Sequence, residues 1–139
     1  MTTNNIWWLS PLVLASLLQG CATSNDAVLA KDICGPEFTP SSLLASGMEC
    51  DGRRVLVRGF IREGFEMHGL WDTIDDINSG NFMEACITTY NPNKLKLTGP
   101  VRQVNAIGIY RSQRPSRLVI LGDCTDEVLE IERVTRISK

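Results

Sequence analysis

The stretch Arg53-Arg54-Val55-Leu56-Val57-Arg58-Gly59-Phe60-Ile61 decides the fold. Its β-branched and apolar residues recur with a partial period of two, the spacing of a half-buried strand. Asp51-Gly52 ahead of it is a turn signal. Gly59 interrupts the pattern, and a glycine inside a strand marks a bulge or a bend where a small barrel curves. Asn105-Ala106-Ile107-Gly108-Ile109-Tyr110 repeats the device. Further strands are expected at Met67 to Trp71, Ala85 to Tyr90, Val101 to Arg111, Arg117 to Gly122 and Val128 to Ile137, with Arg111 to Arg117 and its Pro115 as a hairpin loop. One helix precedes them: Thr39 caps it, Pro40 sits in the first turn where its missing N–H costs nothing, and Gly47 ends it after Leu43-Leu44-Ala45. Short strands, two of them kinked, with one small N-terminal helix predict a mainly β chain closed as a barrel, because closure removes unpaired edges.

Ser42-Leu43-Leu44, the run from Asp51 to Phe60, Gly69-Leu70-Trp71 and the run from Val104 to Tyr110 together resemble the small OB-fold-like barrels of many uncharacterised exported bacterial proteins, over residues 41–137. The resemblance implies an OB-like β-barrel domain at residues 36–139. A likeness of fold carries no function with it.

Upstream the sequence changes character. The chain of 139 residues is expected to hold one domain, and every Lys, Arg, Asp and Glu lies after residue 25. The head MTTNNIWWLSPLVLASLLQG has a polar start, an apolar stretch from Ile6 to Leu18 broken by Ser10 and Pro11, and small residues at its end. That stretch is shorter than the roughly 18 to 20 residues that cross a bilayer and fits the about 7 to 15 of a signal-peptide core. Residues 1–20 are therefore read as a removed export signal.

Leu18-Gln19-Gly20-Cys21 resembles the lipobox of bacterial lipoproteins. The resemblance implies diacylglycerol on the Cys21 sulfur, cleavage before Cys21 and acylation of the new amine. Ala22 after the cysteine implies, in the same family, the outer membrane of a Gram-negative cell, facing the periplasm. Residues 21–35 would then be a small, polar tether from the lipid anchor to the domain. The alternative is an ordinary signal peptide with Ala22-Thr23-Ser24 as a small-x-small cleavage site, which releases a soluble protein. Two or more acyl chains hold a protein stably, since each buried CH₂ contributes about 0.8 kcal/mol.

Setting Cys21 aside for lipid leaves Cys34, Cys50, Cys86 and Cys124, an even set in a small exported body. Four cysteines allow three pairings, and the sequence does not choose among them. Cys34 with Cys50 and Cys86 with Cys124 is favoured, because the first pair brackets a short local segment. A zinc site finds no C-x-x-C spacing and only His68 to assist.

Catalytic chemistry is sparse. His68 is the sole histidine, and cysteines in disulfides cannot serve as thiolate nucleophiles. The acidic cluster Asp72-Thr73-Ile74-Asp75-Asp76-Ile77-Asn78-Ser79-Gly80-Asn81 invites a calcium reading, but counting from Asp75 puts Ile77 third and Cys86 twelfth, so the EF-hand register fails. It reads as a solvated acidic loop, and no metal or cofactor is implied. Glu63 to Glu84 holds six acidic residues and no basic one, whereas Ala85 to Gly122 holds Lys94, Lys96, Arg102, Arg111, Arg114 and Arg117 and no acid. Either these segments form lobes of opposite sign, with the loop from Arg111 to Arg117 facing an anionic surface, or basic strands pair with acidic neighbours. Nucleic acid is not the expected partner, because a stacking row of aromatics along a basic groove is missing. Phe65, Trp71 and Tyr90 are candidates for a pocket or a protein-facing patch, beside Arg111, Arg114 and Arg117. The expectation is a lipid-anchored, non-enzymatic module that binds an envelope protein. A secreted ligand-capturing or inhibitor protein is the alternative, and an envelope enzyme using His68 the third reading.

Overall fold

The computed structural model describes residues 32–64, 67–119 and 124–137. The leader expected at residues 1–20, Cys21 with its tether up to residue 31, Phe65, and the end of the strand expected at Arg117 to Gly122 lie outside the described residues. The chain is mainly β, with one six-stranded sheet. In order come β1 (Glu37–Phe38), α1 (Pro40–Ser46), a 3-10 turn (Gly47–Cys50), β2 (Arg54–Glu63), β3 (His68–Trp71), α2 (Ile74–Ser79), β4 (Cys86–Tyr90), β5 (Arg102–Arg111) and β6 (Val128–Arg136).

The first helix forms where its caps predict. Thr39 Oγ1 accepts from Ser42 N at 3.3 Å while Thr39 N donates to Ser42 Oγ at 2.8 Å, a reciprocal capping box that satisfies donors the helix leaves open. Gly47 N–H closes the other end on the Leu43 carbonyl, and the Leu43 side chain is fully buried. The acidic segment after β3 is not the loop expected of it: α2 occupies Ile74–Ser79. Thr73 Oγ1 accepts from Asp76 N at 3.1 Å, Asp75 and Asp76 lie in the first turn where the helix dipole favours negative charge, and Gly80 ends the helix in the left-handed region at φ 73°. Residues 117–119 are likewise not strand. Leu118 N donates to the Pro115 carbonyl at 2.8 Å, turning the backbone where the ladder would have begun.

Strand parity builds the core. On β2 the buried side is Val55, Val57, Gly59, Ile61 and Glu63, and on β5 it is Val104, Ala106, Gly108 and Tyr110. β2 pairs antiparallel with β3 and with β5, β3 antiparallel with β4, β4 parallel with β6, and β6 antiparallel with β5. Followed in turn, the pairings lead from β2 around the sheet and back to β2. β1 lies parallel to the first half of β2, with Phe38 beside Val57, leaving the second half to β3. The main core unites Leu43, Val55, Val57, Ile61, Leu70 and Tyr110 with their neighbours.

A smaller core lies on the other face. Trp71, Ile77 of α2 and Cys86 pack there with Phe60 and Phe82, and the Trp71 and Phe82 rings meet edge to face at 6.0 Å between centroids. Disulfides join Cys34 to Cys50 and Cys86 to Cys124, with Cα atoms 5.7 and 5.3 Å apart. The first fixes the segment before β1 to the turn before β2, and the second fixes β4 to the segment before β6.

Tyr110 ends the core stripe of β5, 2 % exposed. Burial, reinforced by the negative charges of Glu127 and Asp51, pushes its phenol above the ordinary 10.0. The folded state therefore favours the protonated phenol. Its contribution is complete below about pH 10 and is lost as pH rises from there through the elevated native value. Thermal unfolding followed from neutral pH upward should show a fall in midpoint above about pH 10 that is smaller in Tyr110→Phe; equal falls in the two proteins would refute this account.

Candidate functional site

Parity along β2 carries Glu63 to the core side, two residues beyond Ile61, so the strand's apolar stripe ends in a carboxylate. Its side chain is 6 % exposed. A buried carboxylate must be hydrogen-bonded, and both oxygens of this one are. His68, the cross-strand partner of Glu63, places Nδ1 at 2.6 Å from Oε2. Thr89 Oγ1, on the same face of β4 as buried Ile87, donates to Oε1. Three strands thus deliver one polar group each to a single point. The imidazole side chain is 33 % exposed, so the array has a buried end at Glu63 and Thr89 and a wetted end at His68.

The array lies in a cleft of about 460 Å³. Tyr90 and Asn91 continue from β4 along one wall, Leu95 and Leu97 supply apolar surface, and Val119 contributes from the connection between β5 and β6. Asn91 shapes that wall. Its side chain donates Nδ2 to the Leu95 carbonyl at 2.7 Å and accepts from Leu95 N at 2.8 Å, closing a turn in which Lys94 takes a left-handed φ of 52°. Leu97 is 5 % exposed and belongs to the main core, so this connection is packed down at one end and hydrogen-bonded at the other.

The candidates singled out from the sequence are dispersed. Tyr90 lines the cleft. Trp71 is 1 % exposed in the smaller core, where it has no surface to offer a ligand, and its Nε1 has no partner among the described residues. Arg111 pairs with Glu130 at 3.2 Å, and Glu130 holds the guanidinium further toward its charged form. Arg114 lies 3.9 Å from Asp126. These two arginines answer the question of charge lobes in favour of pairing with acidic neighbours, whereas Arg117 is exposed. Glu63 and Thr89 were not singled out. A carboxylate on the core parity of an apolar strand was the available signal, since that position needs a partner wherever the strand is buried.

Among the described residues no group of three or more His, Cys, Asp or Glu side chains is arranged to hold a metal ion. Compared with family models, with curated proteins and with solved structures, the chain matches none.

Proposed function

We infer that this chain is an exported, lipid-anchored binding module, an OB-like barrel that takes a segment of another envelope protein into the Glu63–His68–Thr89 cleft. The observation that carries the reading is the buried carboxylate shared by His68 and Thr89 at the floor of an open, partly apolar cleft. Such a site offers a fixed polar anchor beneath apolar walls, which suits one side chain of a partner and its adjoining backbone. Two further features support it. An OB barrel is five-stranded, and it binds through its second and third strands and the loops L12 and L45. The circuit β2, β3, β4, β6, β5 has that strand count, and the cleft draws on β3, on β4 and, through Val119, on the β5–β6 connection. The two disulfides suit an oxidising compartment, as the lipobox resemblance of Leu18 to Cys21 requires.

A second reading rests on the same contact. A carboxylate fixing Nδ1 of a partly exposed imidazole is what a general base needs, so the third reading of the sequence, an envelope enzyme using His68, has a geometry of its own. Against it, Thr89 hands its hydroxyl to Glu63, and the ring's hydrogen bond among the described residues is to Glu63 alone.

The test uses the full chain in its own cells with a photoreactive residue at Val119, which stands 86 % exposed at the cleft rim. The binding reading expects one discrete protein adduct that weakens about tenfold or more in Tyr90→Ala and in His68→Ala, the size of a central anchor loss. No adduct, or adducts indifferent to both substitutions, would remove it. Adduct formation retained in His68→Ala together with a lost phenotype would favour the enzyme. Cys21→Ser should move the protein from the membrane fraction to the soluble one; retention in the membrane would remove the lipid anchor, and a parent protein already soluble would favour the unlipidated alternative.

A further inference from the structure

We propose that a basic cleft formed by Lys96, Arg102, Arg133 and Arg136, with the apolar groove beside it, docks an anionic phospholipid of the membrane to which the chain is tethered. These cations come from three separate places: the connection after β4, the start of β5 and the end of β6. The antiparallel register that sets Val104 against Arg136 brings the two strand ends together. The cleft measures about 310 Å³, and the carboxylate among its lining residues is Glu132. That carboxylate is engaged elsewhere: Arg54 grips it in a fork, Nε at 2.5 Å and Nη2 at 3.0 Å, which sets a further cation beside the cleft.

Arg102 is held by carbonyls. Nη2 donates to Leu97 O at 2.9 Å and Nη1 to Pro100 O at 3.2 Å, while its buried Nε has no hydrogen-bond partner among the described residues. A guanidinium fixed in this way has no carboxylate partner among the described residues, and a phosphate oxygen would supply the charge-assisted bond it lacks. Arg102 and Arg136 also line the neighbouring groove of about 400 Å³, whose remaining wall is largely Phe60, Ile74, Val101 and Ile137. Ile74 and Val101 are 46 % and 37 % exposed. Cations on one side of an arginine pair and apolar side chains on the other match an amphiphile with an anionic head.

Where the chain arrives selects the source. Asp32 Oδ2 lies 3.8 Å from Arg54, and Cys34 N donates to the Arg54 carbonyl at 2.7 Å, so the tether enters the domain next to the Arg54–Glu132 pair that borders the cleft. From Cys21 to Asp32 an extended chain reaches at most about 40 Å. A barrel on so short a leash keeps this face within reach of the leaflet, where anionic headgroups attract basic side chains. The membrane source rests on the anchored reading above, whereas the chemistry of the cleft does not.

The experiment separates the two. Full chain carrying Cys21→Ser, with no acyl group, is co-sedimented with vesicles of phosphatidylcholine and with vesicles containing phosphatidylglycerol. Lys96→Gln with Arg136→Gln in the same background removes two exposed cations outside the Arg54–Glu132 pair, and an unchanged melting midpoint verifies its fold. The leader is common to both proteins, so the difference between them reads the cleft. The expected result is preference for the phosphatidylglycerol vesicles, weakened about tenfold or more in the double variant and much less in Arg117→Gln. Equal binding to both vesicle types, an unweakened double variant, or equal weakening by Arg117→Gln would overturn the proposal. Soluble glycerol phosphate bound as tightly as the vesicles would reassign the cleft to a free phosphate and overturn the lipid. Membrane release by Cys21→Ser in cells is read independently, so a failed anchor and a failed cleft give different results.

Discussion

Replacing Cys86 and Cys124 together by alanine will lower the unfolding free energy by about 4 kcal/mol. The bond spans a sequence separation of 38, against 16 for Cys34 and Cys50. Constraint of the unfolded chain grows with the logarithm of the loop, which gives about 4 kcal/mol for the longer and about 3 kcal/mol for the shorter. Packing adds to the difference. Cys86 is fully buried beside Trp71 and Ile77, so loss of its sulfur leaves a gap under the rings that cover it. Urea unfolding of the two double variants, compared with the parent at equal m-value, measures both effects. A loss below about 1 kcal/mol for Cys86→Ala with Cys124→Ala, or a larger loss for the shorter loop, would refute the argument. A domain of this size holds about 5 to 15 kcal/mol in all, so removal of both bonds should leave it marginal or unfolded.

The second large effect is expected at Gly108. A Cβ built there would run into the carbonyl oxygen of Glu130 on the paired strand and stand 3.1 Å from Ile131 Cα. The obstacle is backbone inside a ladder, at the point where the β5–β6 register shifts between Ile107 and Gly108. A side chain could swing aside, but a strand held on both edges cannot. Gly108→Ala should therefore cost about 3 kcal/mol, the upper part of the range for overpacking. Gly59 has the same relation to the Trp71 carbonyl, 2.6 Å from its imagined Cβ, and should respond similarly. Gly64, with nothing within 4 Å among the described residues, is the internal control: Gly64→Ala should stay within about 0.5 kcal/mol of the parent. Similar losses at positions 64 and 108 would show that close strand approach is not what selects glycine.

These expectations bear on function because the strands they concern also hold the cleft. Glu63 and His68 meet only if β2 and β3 keep their pairing, and Thr89 joins them only if β4 keeps its own. A shift of one residue on β2 would turn Glu63 outward and bring Arg62 toward the core, since alternate residues face opposite sides.

The sequence alone determined the parts whose causes are local. The stripe from Val55 to Ile61, the glycines at 59 and 108 within strands, and the Thr39 cap with Pro40 and Gly47 are short-range steric and hydrogen-bonding signals, and each produces its element in place. The even set of body cysteines signalled cross-links in the same manner. Tertiary structure decided the rest. Helix α2 has six residues, too few for an amphipathic period, and Ile77 is its buried residue beneath the Trp71 cluster. The sequence left Arg111 and Arg114 either on a basic loop facing an anionic surface or paired with acidic neighbours, and only the tertiary structure named Glu130 and Asp126 as those neighbours. The convergence of Glu63, His68 and Thr89, and of Lys96, Arg102, Arg133 and Arg136, depends on register and closure between strands far apart in sequence. Local propensity fixes which face a residue shares with its neighbours two positions away, but only pairing across the sheet fixes which distant residue stands opposite it.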